Sequence, residues 1–214
     1  MAYVPLSLMC SNTKVAAGIS IATERHLKEA HYLMASTYSR DSPDDHFGHS
    51  ATVMTLLAVV AASAIRNFSP KRNKNAKGDR VSFVSCVEQY FPWDHVTVAD
   101  DQHRRIDEQR RAAAEELYAG FRNPLVRSGG VVGKGHRICK VVHSLPGFAS
   151  FQENEAIVSS LCNRSTLHGQ RLLEMTAAFS AVHTQPLYWC SRKMIEAFAA
   201  DPIVQTDVAV SLAI

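Results

Sequence analysis

Near the middle of this 214-residue chain, Arg122-Asn123-Pro124-Leu125-Val126-Arg127 sets two guanidinium groups on either side of an Asn-Pro step. Asn followed by Pro is a favourable N-cap and N1 pair, so the segment predicts a fresh helical turn after a kink. The free amides of such a turn favour an anion, and flanking guanidinium forks match phosphate oxygens. A second reading needs no ligand: arginines at a helix C-terminus offset the helix dipole. Neither reading supplies a proton relay, because arginine stays charged where histidine titrates.

The longer stretch Leu117 to Gly130, LYAGFRNPLVRSGG, resembles the signature of the HEPN family of small all-helical proteins. In that signature an Arg, a polar residue that is often Asn, and a few spacers lead to a His. Here Arg127 stands at the closing position. The resemblance implies a metal-independent endoribonuclease that needs no cofactor and works as a homodimer, with two motifs sharing one site at the dimer cleft. Arg122 would hold the scissile phosphate and Asn123 would orient its neighbours. Arg127 would occupy the place of the group that exchanges a proton with the attacking 2′-OH. RNA is the partner so implied, with an antitoxin or other regulatory protein as a further one in a toxin–antitoxin or defence setting. A positioned acid–base group is worth about 10²–10⁴-fold in rate, so the expectation is weakened or absent RNA cleavage. The alternative is a non-catalytic module of the same fold that binds RNA, a nucleotide or a protein. A relay supplied from elsewhere is a further option, and His136 is the nearest downstream histidine.

Other residues have chemistry-bearing types without a complete pattern. His136, Cys139 and His143 have metal-ligand identities, but no fourth ligand lies nearby in sequence, so the expectation is no metal. Asp44, Asp45, His46 and His49 read as a polar turn before a helix rather than a metal corner. The loop SPKRNKNAKGDR offers Lys71, Arg72, Lys74, Lys77 and Arg80 as an RNA-facing rim, with Arg104-Arg105 and Arg110-Arg111 as a second basic stretch diluted by acids. No Gly-rich phosphate loop, nucleophilic-Cys signature or Ser/His/acid order stands out.

The elements that must position these residues read as helices. Thr23 is a candidate N-cap for Leu27, Ala30, Met34 and Tyr38 at helical spacing. Residues 50–68 are apolar nearly all round, as in a central buried helix. Residues 81–91 predict a short helix ended by Pro92. Asp100 or Asp101 is placed to cap the next helix, through Ile106, Ala113, Leu117 and Phe121, with a kink or stop before Pro124. Residues 131–145 suggest a hairpin or extended insert. Leu172, Met175, Phe179 and Val182 fit a long helix capped by Asn163 or Ser165 and broken at Pro186, with a last helix over Leu187 to Ala200. The expectation is an all-α bundle of five or six helices in one domain over 1–214, with 1–20 as an irregular arm.

Composition sets outer bounds on function. A net charge of +3 does not by itself make a nucleic-acid binder, and a 46% apolar fraction supports an ordinary core. Five scattered cysteines fit a reducing, cytoplasmic setting better than a disulfide scaffold. Ala51 to Ile65 is too short and too polar to cross a bilayer, so no membrane partner is expected.

Overall fold

A computed structural model of the chain describes residues 25–31, 33, 46–67, 79–128, 135–139 and 169–200. The arm at 1–20, the loop carrying Lys71, Arg72, Lys74 and Lys77, and His143 lie outside these residues. After helical residues 25–31 come α1 (His46–Asn67), α2 (Asp79–Tyr90) and β1 (Val96–Asp100). Next are α3 (Ile106–Glu116), a π-helical turn (Leu117–Arg122) and α4 (Asn123–Ser128). Then follow β2 (His136–Cys139), β3 (Gln170–Met175), β4 (Ser180–His183) and α5 (Thr184–Ala200).

The all-α expectation is overturned by a four-stranded sheet in the order β1-β3-β4-β2. Strands β3 and β4 form an antiparallel hairpin, with β1 parallel to β3 on one side and β2 parallel to β4 on the other. The long helix expected through Leu172, Met175, Phe179 and Val182 is this hairpin. Its turn holds through Thr176, whose hydroxyl accepts from the Ala178 and Phe179 amides at 3.3 and 3.0 Å. Such side-chain turns compete directly with helix formation. A bulge opposite Thr97 and Val98 places Leu172 and Leu173 side by side in the core, which disturbs the period-2 alternation of a strand. β1 occupies a stretch where no element was expected. Its β-branched run Val96-Thr97-Val98 is a strand signal.

Register sorts the sheet into two faces. Val98, Leu173, Met175, Val182 and Ile138 share the face that meets the helices, and Leu173, Met175 and Val182 join their core. At one end of that face the neighbours are Asp100, Ser180 and His136. The opposite face carries Arg171, Glu174, Ala181, His183, Arg137 and Cys139.

α1 supplies much of the core through Val53, Leu56, Leu57, Val59 and Val60, while Met54 stays exposed. The expected central helix is therefore present, buried on most sides and not on all. α2 ends at Tyr90, and Trp93 beyond Pro92 donates its indole N–H back to the Val87 and Glu88 carbonyls. α5 begins at Thr184, so Pro186 lies in its first turn instead of breaking it; the missing proline N–H has no partner to lose there. Trp189, only 2% exposed, anchors this helix in the core.

Candidate acid–base site at the end of the sheet

The helix bearing the Arg-Asn segment does not stop before Pro124. Pro124 has no N–H to offer the Gly120 carbonyl and would crowd it in a regular α-helix. The chain accommodates this by widening: the Asn123 N–H donates to Tyr118 O, five residues back, and α4 continues. Asn123 has helical torsions and a spent amide, so the fresh N-cap turn with free amides is not formed. Asn123 Oδ1 instead accepts from Arg122 Nη1 at 3.0 Å, and the Arg122 guanidinium lies over the Tyr118 ring, 5.2 Å from its centroid. Arg127 is exposed near the end of α4.

The same turn faces a different neighbour on its other side. His136 Nε2 lies 2.9 Å from Glu116 Oε1, with both side chains about one-quarter exposed (27% and 26%). The imidazole stands edge-on to the Phe121 ring, 5.4 Å between centroids and 82° between planes. Its Nδ1 is buried without a hydrogen-bond partner. Gly120 makes the pairing possible, since a Cβ there would come within 2.7 Å of His136 Nε2 and closer still to Glu116 Oε1. Residues two apart on a helix do not face each other, so Gly120 and Arg122 present separate sides.

Glu116 also lines an open cleft of about 180 Å³ with Asp100, Asp101, Gln102, Arg104, Thr176 and Ser180. The expected capping role of Asp100 or Asp101 is not seen: α3 starts after Arg105 with no side-chain cap. The Asp100 side chain is 1% exposed, pairs with Arg104 Nη1 at 3.0 Å, and accepts from the Gln102 amide. Asp101 accepts from the Ala177 amide at 2.7 Å, tying the end of β1 to the β3–β4 turn. His103 takes a left-handed backbone conformation (φ 50°) in the link to α3. Of these contacts only the Arg104 guanidinium brings an opposite charge to a carboxylate.

The remaining sequence candidates separate in space. His136 and Cys139 lie on opposite faces of β2, so they cannot close on one ion, and among the described residues no group of three metal-ligating side chains comes together. In the second basic stretch, Arg104 is engaged by Asp100 and Arg110 by Asp94 at 3.3 Å. On the outer face, burial first and Arg171 second lower the His183 pKa, while burial raises that of Cys139. Burial alone pushes the Cys86 and Cys190 thiols well above their ordinary range. Among the described residues, no helix is long and apolar enough to cross a membrane.

Glu116 and Ser180 are the residues that sequence reasoning passed over. The sequence does carry one pointer to Glu116, an isolated Gly120 inside a strong helical pattern, which commonly marks close packing or function. Comparison with family models, curated proteins and solved structures gives no match to this chain.

Proposed function

We propose that this chain carries out metal-independent RNA phosphodiester cleavage in which His136, and not position 127, exchanges the proton. The observation that supports this reading is the Glu116–His136 pair at 2.9 Å, held against the helical turn that leads into Arg122 and Asn123. A carboxylate on one imidazole nitrogen fixes the ring and leaves the other nitrogen for proton transfer. His136 Nδ1 is that nitrogen. In this mechanism the imidazole takes the proton of the 2′-OH as that oxygen bonds to phosphorus, and gives it to the 5′-oxygen as that phosphorus–oxygen bond breaks. Arg104, held by Asp100, is the cationic side chain among the residues lining the adjoining cleft. The reaction leaves a 2′,3′-cyclic phosphate.

The test is cleavage of a labelled RNA in EDTA by the native chain beside His136→Ala and Arg127→His. Cleavage that drops at least a hundredfold in His136→Ala supports the reading. Equal cleavage by native and His136→Ala protein removes it.

A second reading is RNA binding without cleavage through the Arg122–Arg127 segment. It is favoured by the exposure of Arg127 on the short helix beyond the π-helical turn. RNA binding that depends on Arg127, with no cleavage in either background, selects it.

A further inference from the structure

The sequence shows no serine, histidine and acid in a recognisable order, yet the fold brings the three together. Parallel pairing of β2 with β4 sets His136 directly opposite Ser180, so their side chains emerge from the same face of adjacent strands. Adjacent strands lie about 4.8 Å apart. The start of this pairing is pinned, because the Ser180 amide donates to the Gly135 carbonyl and Gly135 sits at φ +109°, where a Cβ would meet Ala178 O at 2.9 Å.

Imidazole geometry gives the arrangement its direction. Nε2 is the distal nitrogen and reaches across to Glu116 on α3. Nδ1 sits close to the strand, on the carbon next to Cβ, at the level a neighbouring serine hydroxyl can reach by a change of rotamer. That nitrogen is buried and lacks a hydrogen bond, while Ser180 and Glu116 both line the cleft. Nucleophile, base and orienting acid are recognised by such roles and not by sequence order.

We propose that Ser180 is a nucleophile activated by His136 and Glu116, and that the cleft accepts small carboxylic esters. This goes beyond the RNA reading, because here the protein supplies the attacking oxygen. Ser180 Oγ bonds to the ester carbonyl carbon as its proton passes to His136 Nδ1, and the carbonyl electron pair moves onto oxygen. Collapse of that adduct breaks the carbon–alkoxide bond, and the alkoxide leaves with the proton from Nδ1. Water then gives a proton to Nδ1 and its oxygen bonds to the acyl carbon. Ser180 Oγ departs and regains its proton.

A fluorophosphonate probe tests this on the full chain, since serine attack forms an O–P bond and expels fluoride. Intact mass and peptide mapping should find one adduct per chain, on Ser180, absent in Ser180→Ala. The labelling rate should fall at least tenfold in His136→Gln and Glu116→Gln, whose folding is checked by circular dichroism. Ser180→Cys should be alkylated by iodoacetamide faster than Cys139 in the same protein. Adducts at other residues, or labelling of Ser180 that is unchanged in His136→Gln, overturn the proposal; so does an unlabelled Ser180 in folded protein. RNA cleavage lost in His136→Ala but retained in Ser180→Ala, with Ser180 unlabelled by the probe, would leave the RNA reading standing and this one rejected.

Discussion

The two sides of the π-helical turn differ in what they do with their polar groups. On one side the half-buried Arg122 shares its guanidinium between the Asn123 side chain and the Tyr118 ring, and Arg127 is exposed on the short helix beyond. On the other, Glu116 and His136 come from distant parts of the chain and meet beside a cleft, with one imidazole nitrogen still uncommitted. The first side is a local motif, complete within six residues. The second is assembled by the sheet. Residue identity made the first conspicuous, whereas proximity of a base to its orienting acid makes the second the better candidate for chemistry.

Substitutions on each side should separate them. The largest effect is expected from His136→Ala, which should lower RNA cleavage by about 10²–10⁴-fold, while Arg127→Ala changes it less than threefold if the dyad is the relay. Matched initial-rate measurements on one RNA check both. Gly120→Ala sharpens the comparison further. The new methyl must displace the ends of the Glu116 and His136 side chains, so activity should fall toward the His136→Ala level. Stability should change by no more than about 1 kcal/mol, because alanine is the better helix former and the displaced groups are flexible. Chemical denaturation with a parallel activity assay reads out the two effects.

Smaller effects belong to the outer face of the sheet. His183 has its pKa lowered by burial, so it binds a proton less readily folded than unfolded. Its contribution to stability is therefore complete above the ordinary histidine pKa, about 6.5, and is lost as pH falls toward the depressed value. Denaturation midpoints measured between pH 7 and pH 5 should decline less in His183→Gln than in the native chain. The smallest effect is kinetic. Cys86 and Cys190 should react with iodoacetamide more slowly than half-buried Cys139 in the native state and at equal rates after unfolding, as mass spectrometry of timed samples would show.

Helices with a strong apolar pattern were legible in the sequence. α1 follows from its near-continuous apolar residues, α2 from its run into Pro92, and α3 from the alanine and glutamate content ahead of the motif. The sheet was not, for reasons that can be named. The β3–β4 turn contains no Gly or Pro, and its Ala177-Ala178 pair favours a helix on intrinsic propensity. Helix-like spacing of Leu172, Met175, Phe179 and Val182 then coincides with a bulged strand and its partner. Asp100 and Asp101 look like caps by position, yet they serve the junction between β1 and the hairpin turn. The candidate site was half legible: Arg122, Asn123 and Arg127 could be picked out by pattern, and His136 as a nearby histidine. Ser180 acquires significance only through strand register and Glu116 only through the packing of α3 on the sheet, neither of which local sequence encodes.

The strand order also sets a timetable for folding. Among the described residues, the two inner strands of the sheet, β3 and β4, are the last two, and each outer strand precedes the partner it pairs with. During synthesis β1 and β2 must therefore wait, edges unpaired, until the hairpin has left the ribosome. Closure across such separations is slow relative to helix formation. Glu116 can occupy its helix early, but His136 gains its fixed place only when β4 arrives. The newborn chain should thus acquire helical signal well before it acquires any activity at the cleft.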